Sequence, residues 1–316
     1  MIYFPADRPT LYFIGVTTAK SSIMKVFPAW ATYLDLGDVA IKGIDLPLHA
    51  SRIDYRTAVE FIKRDPLSLG ALVTTHKIDL YSACRDLFDE IDPHAQLMGE
   101  TSCLSKRNGV FVCHAKDPIS SGLALDTFLP HDHFRKTRGA VFSMGAGGST
   151  IAITCHLLNP ERRGNLPSRV IVSNRSEPRL DELRRIHQEL KIKTPIDYTV
   201  CTKSEDNDVV LASLPPGSLV INATGLGKDA PGSPLSDSGL FPRQAIAWDL
   251  NYRGDLIFLK QARAQQSTKV LQIEDGWTYF IHGWTQVISE VFHIDIPIYG
   301  PRFDQISSIA ANNSGK

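Results

Sequence analysis

The chain has 316 residues, 43% of them hydrophobic, with 34 basic and 34 acidic side chains and a formal net charge of zero. That length suits two domains and that apolar fraction fills their cores, which excludes wholesale disorder. The charge balance lacks the basic footprint of a nucleic-acid binder, so a small molecule is the expected partner.

In chain order, LYFIGV (11–16) reads as a strand, followed by a helix from about Met24 to Leu34. VAIKGIDLP (39–47) is a second strand and TAVEFIKR (57–64) a second helix; GALVTT (70–75) is a third strand and Ile78 to Phe88 a third helix. Strand alternating with helix is the rhythm of a parallel α/β layer. HDHFRKTRG (131–139) is polar and reads as a link into a second unit. There AVFSM (140–144), RVIVSN (169–174), SLVINAT (218–224) and AIAWDL (245–250) are strands, with helices at STIAITCHLL (149–158) and DELRRIHQEL (181–190). This second unit is a doubly wound sheet. The last clear helix, about Tyr279 to Phe292, is apolar around most of its circumference and is expected to pack back on the first domain. The tail from Ala310 is small and polar, a frayed end. The expected division is 1–125, 126–273 and a returning C-terminal segment, 274–316.

The five cysteines (Cys84, Cys103, Cys113, Cys155, Cys201) are odd in number and form no CxxC pair, which suits a reducing cytoplasm better than a disulfide framework. No signal peptide is expected from MIYFPADRPT, and no apolar run approaches the length of a membrane span. His131-Asp132-His133 is a lone short cluster, expected to be solvated rather than ligating, so no metal is expected.

SMGAGGSTIA places Gly145, Ala146, Gly147 and Gly148 between a strand and a helix. Glycine suits a sharp turn whose backbone approaches a pyrophosphate at a helix N-terminus, and Ala152 supplies the small residue for close helix–strand contact. Thr150 stands where the strict GxGxxG pattern has its last glycine. The next strand ends in Asn174-Arg175-Ser176, with no carboxylate to hold a ribose 2′-hydroxyl and with a guanidinium able to pair with a 2′-phosphate. NADP is therefore expected over NAD, the other reading being that Arg175 is only a surface arginine.

The GAGG loop, Asn-Arg-Ser after the following strand and a lysine-bearing turn in the upstream α/β domain together resemble the shikimate dehydrogenase family, from about Gly15 to Phe292. VINATGLG (220–227) is similar to the family's Asn-Ala-Thr strand end beside the nicotinamide, with Asn222 and Thr224 as cofactor residues. DLNYRGDLIFLKQA (249–262) matches its Asp-x-x-Tyr segment, with Tyr252, and EDGWTYFIHGWTQ (274–286) its glycine turn and closing helix. LVTTHK and CHAKD match the family's segments carrying a catalytic lysine and aspartate, which implies Lys77 and Asp117 as that pair. The chemistry is coherent: hydride reduction of a ketone puts negative charge on oxygen, which an ammonium stabilises and protonates. The resemblance implies an N-terminal α/β substrate domain, a Rossmann-type NADP domain and a cytoplasmic oxidoreductase. Its substrate is a cyclic polyol, with no nucleic-acid or membrane partner and a homodimer left open.

The substrate side departs from the family. Its Ser-x-Ser reads Ser21-Ser22-Ile23, Lys20 replaces a histidine, Leu72 an asparagine, and the proline before the lysine is missing. Ala-Val-Asn-Thr reads Glu100-Thr101-Ser102-Cys103, Asn-Thr-Asp reads Ala115-Lys116-Asp117, and the closing-helix glutamine falls at Gly283, with Gln286 three residues on. Ser21, Thr74, Tyr252 and Gln286 remain the expected substrate contacts. Lys20 and Lys116 are candidates for an acidic substrate group, although Lys116 reads better as solvated. The same reaction on a substrate other than shikimate is the expectation, because a site built for one set of hydroxyls rejects molecules lacking them. The alternatives are a cyclitol or amino-cyclitol ketone reductase and a non-catalytic NADP- or metabolite-sensing relative.

Overall fold

TLYFIG is β-rich and wholly buried, so it forms a strand enclosed on both faces, β1 (Thr10–Gly15), as parallel sheets require. In the computed structural model, which describes residues 3–159, 162, 164–190, 192–228 and 230–314, it lies at the heart of the first of two compact units. This unit comprises the chain up to Asp117 together with the part from Ile281; the other is Pro118–Phe280.

The first unit continues with α1 (Ile23–Tyr33), β2 (Ala40–Asp45), α2 (Arg52–Arg64), β3 (Ser68–Val73), α3 (Lys77–Cys84), β4 (Glu90–Ile91), α4 (Pro93–Met98), β5 (Cys103–Arg107) and β6 (Val110–His114). Its sheet runs β2-β1-β3-β5-β6-β4. Only β5 is antiparallel to its neighbours, a short hairpin strand inserted in an otherwise parallel sheet.

The second unit carries α5 (Asp117–Phe128) after its first residue, α6 (His133–Thr137), β7 (Val141–Met144), α7 (Gly148–Leu157), β8 (Val170–Asn174), α8 (Glu177–Glu189), β9 (Ile196–Val200), α9 (Ser204–Ala212), β10 (Leu219–Asn222), β11 (Ile246–Asp249), α10 (Ile257–Lys269) and β12 (Gln272–Glu274). All its strands are parallel in the order β12-β11-β10-β7-β8-β9, the doubly wound arrangement with its switch point between β7 and β10. Its core gathers Phe142, Phe241 and Phe258 around β7, β10 and α10.

HDHFRKTRG is not a link into the second unit but lies within it: it forms α6, seated by the buried Phe134 and by the His133 ring nitrogen Nε2 donating to Gly217 O at 2.7 Å.

The closing helix is α11 (Trp277–Phe292), and from Ile281 it belongs to the first unit, where Trp284 meets Phe13 edge-on at 5.1 Å. The tail is also not frayed: α12 (Pro301–Ser314) buries Phe303, Ile306 and Ala310, and Trp30 Nε1 of α1 donates to Ile306 O at 2.9 Å. Residues 315–316 lie outside the described residues. Among the described residues, no helix is long and apolar enough to cross a membrane.

Candidate active site

Sheet direction places the first group of candidates. β3 and β6 run the same way and β5 opposes both, so the C-terminal ends of β3 and β6 and the start of β5 share one edge. Val73 N donates to Ser102 O and Ser102 N to His114 O, both at 2.9 Å. Lys77, the first residue of α3, and Asp117, the first of α5, leave that edge together, and Lys77 Nζ donates to Asp117 Oδ2. Their side chains are 20% and 10% exposed, so this is a largely enclosed ion pair rather than a solvated one. His76, just before Lys77, is buried against the Tyr55 hydroxyl at 3.0 Å, and burial holds its imidazole below the ordinary range.

The segment carrying Asp117 is tied down on three sides. Ala115 N donates to Asp92 Oδ2 at 2.9 Å, Lys116 N to Ser102 Oγ at 2.7 Å, and Lys116 Nζ to Glu290 Oε2 of α11 at 2.6 Å. Lys116 is therefore not solvated: its side chain is 15% exposed and paired with a partner far along the chain. Burial pushes the Glu290 carboxyl up, but the Lys116 hydrogen bond and the charges of His114 and Lys116 outweigh it and hold the group below its usual range.

Thr74 is half-buried just beyond β3, its N–H on Ile14 O at 3.1 Å. Its methyl would stand 3.0 Å from a Cβ on Gly15, so any larger residue there would have to displace Thr74 slightly. Ser21 is half-buried and closes the turn after β1 by donating its N–H to Thr18 O at 2.9 Å. Ile23 faces the core at zero exposure, whereas Lys20 is exposed. Gln286 is half-buried on α11 one turn before Glu290, so both lie on one helix face, and its amide makes no hydrogen bond among the described residues. Leu72 lies within β3 opposite Cys103.

Glu100 was visible in the sequence only as a departure from a motif. It has zero exposure, neither carboxyl oxygen has a hydrogen-bond partner among the described residues, and burial pushes it up to about 7, with the Lys77 charge opposing and Asp117 adding.

The second group lies at the carboxyl ends of β7, β8 and β10. Gly145 has φ of +105°, and a Cβ there would meet Ala223 O at 2.6 Å, so the turn after β7 demands glycine. Ala146 is buried, Gly147 opens α7, Gly148 is its first residue, and a Cβ on Gly147 would meet nothing within 4 Å. The first turn of α7 carries no acidic residue, which leaves its N–H groups and dipole available to an anion. Thr150 is fully buried and donates to Gly145 O at 2.6 Å while pairing with Ser143 Oγ at 2.9 Å. Thr150→Gly, which restores the consensus, is therefore expected to lower stability by about 1–2 kcal/mol in urea unfolding.

At the end of β8, Asn174 Nδ2 donates to Ser176 O at 3.2 Å, and Arg175 is exposed with no ion pair among the described residues. Asn222 directs its amide inward. It accepts from Thr224 N and Oγ1 at 3.1 and 2.7 Å and donates to Asp249 Oδ1 at 3.2 Å, shaping the turn that exposes Thr224. Burial pushes Asp249 up to about 6. Tyr252 lies in the second unit, 5.4 Å from the Trp277 ring and 4.7 Å from Phe280, while Ser21, Thr74 and Gln286 lie in the first.

No protein-family model matches the sequence. The shikimate dehydrogenase (NADP(+)) of Streptococcus sanguinis (strain SK36) is 25% identical over 236 residues, 73% of this chain and 75% of that protein. That of Lactococcus lactis subsp. cremoris (strain MG1363) is 25% identical over 189 residues, and the match spans only 61% of its length and 60% of this chain. A shikimate dehydrogenase crystallised with NADP+ superposes with a TM-score of 0.73 at 18% identity, covering 99% of this chain and 98% of that one, which shows a shared fold. The chain is thus similar in sequence to shikimate dehydrogenases over part of its length and shares the fold of one over nearly all of it.

Proposed function

We propose that the protein is an NADP(H)-dependent oxidoreductase that interconverts a ring ketone and a secondary alcohol on a polyhydroxylated six-membered ring. The observation that carries this reading is the enclosed Lys77–Asp117 pair at the carboxyl edge of the first sheet. The names of the sequence relatives support it.

The second unit fits the dinucleotide. Gly145 leaves backbone where a side chain would intrude, α7 presents an unblocked N-terminus, and Arg175, exposed and without an ion pair among the described residues, stands where a 2′-phosphate would be read. When bound, NADPH supplies the hydride. In the first unit the Lys77 ammonium donates a hydrogen bond to the substrate carbonyl oxygen, stabilises the alkoxide as it forms and gives it the proton, leaving a neutral amine. Asp117 orients Nζ and, by its charge, favours the ammonium form. In the reverse direction the neutral amine removes the hydroxyl proton. Ser21, Thr74 and Gln286 are the proposed substrate contacts in this unit, and Asn222 and Thr224 shape the cofactor side of the other.

Substrate recognition is proposed to differ from shikimate itself. Ile23 faces the core where the family grips a carboxylate, and Leu72 brings no amide. A cyclitol or amino-cyclitol suits these changes. The five free cysteines support a cytoplasmic location. A panel of cyclic polyols, including shikimate and quinate, assayed with NADP+ is expected to reveal turnover of a ring alcohol. Binding of NADPH without turnover of any of them would overturn the enzyme reading in favour of a metabolite sensor.

A further inference from the structure

We propose that Glu100 is a positioning residue for Lys77: a carboxyl, enclosed in the interior of the first unit beside the Lys77–Asp117 pair, that governs how readily Lys77 releases its proton. The inference rests on the assignment of Lys77 as the proton donor.

The placement follows from the backbone. Gly99 ends α4 in the left-handed region at φ +61°, which turns the chain inward at Glu100. The next N–H, of Thr101, donates to Lys77 O at 3.1 Å, and Thr101 Oγ1 donates to His114 O at 3.2 Å. Glu100 is thus held by the segments that lead into both Lys77 and Asp117. Its side chain is completely buried, and neither oxygen finds a donor among the described residues. Ionised carboxylates are tolerated inside proteins when hydrogen bonds or a paired cation compensate the lost hydration. Here the ammonium of Lys77 is already engaged by Asp117. Burial accordingly pushes Glu100 up to about 7. Lys77 from the start of α3 pulls it down and Asp117 from the start of α5 pushes it up, the two charged groups acting on it.

Protonated Glu100 leaves the Lys77–Asp117 pair electrically balanced. An ionised Glu100 would add a second carboxylate beside the ammonium, tighten the hold of Nζ on its proton and repel the forming alkoxide. Ketone reduction should therefore slow as pH rises through the Glu100 ionisation. Native Glu100 also binds its proton more tightly than an unfolded glutamate. Folding stability should fall as pH rises from the ordinary glutamate range towards 7, a slope that Glu100→Gln removes.

The test uses the full chain labelled with carbon-13 glutamate. One carboxyl is expected to titrate near neutral pH, to be missing in Glu100→Gln and to titrate higher in Lys77→Met, which lacks the opposing ammonium. A Glu100 carboxyl that titrates in the ordinary range, or that is indifferent to Lys77→Met, overturns the proposal. With a ring ketone that turns over, kcat/KM for reduction is expected to fall about tenfold between about pH 6 and about pH 8. Glu100→Gln should lose that inflection while KM stays the same, and an inflection that persists in it also overturns the proposal. Failure of every ring ketone to react would sink the proposed reaction, and the carboxyl titration would still decide whether Glu100 and Lys77 are coupled.

Discussion

Lys77→Ala is expected to lower ketone reduction about a thousandfold, a loss of about 4 kcal/mol of transition-state stabilisation, while NADPH binding is unchanged. The lysine supplies two effects that alanine removes together: a positive charge aimed at the developing alkoxide and the proton that neutralises it. Both act in the transition state more than in the ground state, so the loss should fall on kcat more than on KM. Lys77→Arg separates them. Arginine restores the charge and a partner for Asp117, which is buried and 10% exposed in its side chain, but it does not release a proton at neutral pH. Its rate should therefore stay low although the ion pair and folding recover. Single-turnover reduction with bound NADPH measures the chemical step, and full activity in Lys77→Ala would remove this residue from the mechanism.

The sequence brought Lys77 and Asp117 forward as a pair only through the motifs that resemble the family: the apolar run before Lys77 reads as a strand, whereas β6, which leads to Asp117, was not read. The parallel sheet of the second unit was legible from such apolar runs: β7, β8, β10 and β11 are fully apolar over most of their length. Short or half-exposed elements escaped. β4 has two residues, and β9 shows no buried position, so neither carries a periodic signal. Partners distant in the chain escaped as well. Lys116 looks solvated until α11 brings Glu290 within 2.6 Å, and the polar tail looks frayed although α12 runs through it to Ser314 with Ala310 buried. The same limit hid Glu100: a lone glutamate ahead of a strand is ordinarily solvated, and only the antiparallel entry of β5 puts it inside the edge where Lys77 and Asp117 meet.

Arg175→Ala is expected to weaken NADPH binding about thirtyfold to a hundredfold and to leave NADH binding nearly unchanged, since a charged hydrogen-bonded contact contributes about 2–3 kcal/mol. The selectivity follows from what stands at the end of β8. Ser173 is buried, and Asn174 turns its amide towards Ser176 O, so no carboxylate is present to hold a ribose 2′-hydroxyl. The exposed Arg175 guanidinium is then the group left to read a 2′-phosphate. Because Arg175 is exposed, its contribution should shrink as salt is raised, whereas pyrophosphate binding at the buried turn of Gly145 and the start of α7 should respond less. Fluorescence titration of both reduced cofactors, at low and at high ionic strength, reads all of this in one series. Tighter binding of NADH than of NADPH by the unaltered protein, or an equal loss of both in Arg175→Ala, would show that the end of β8 does not choose the cofactor.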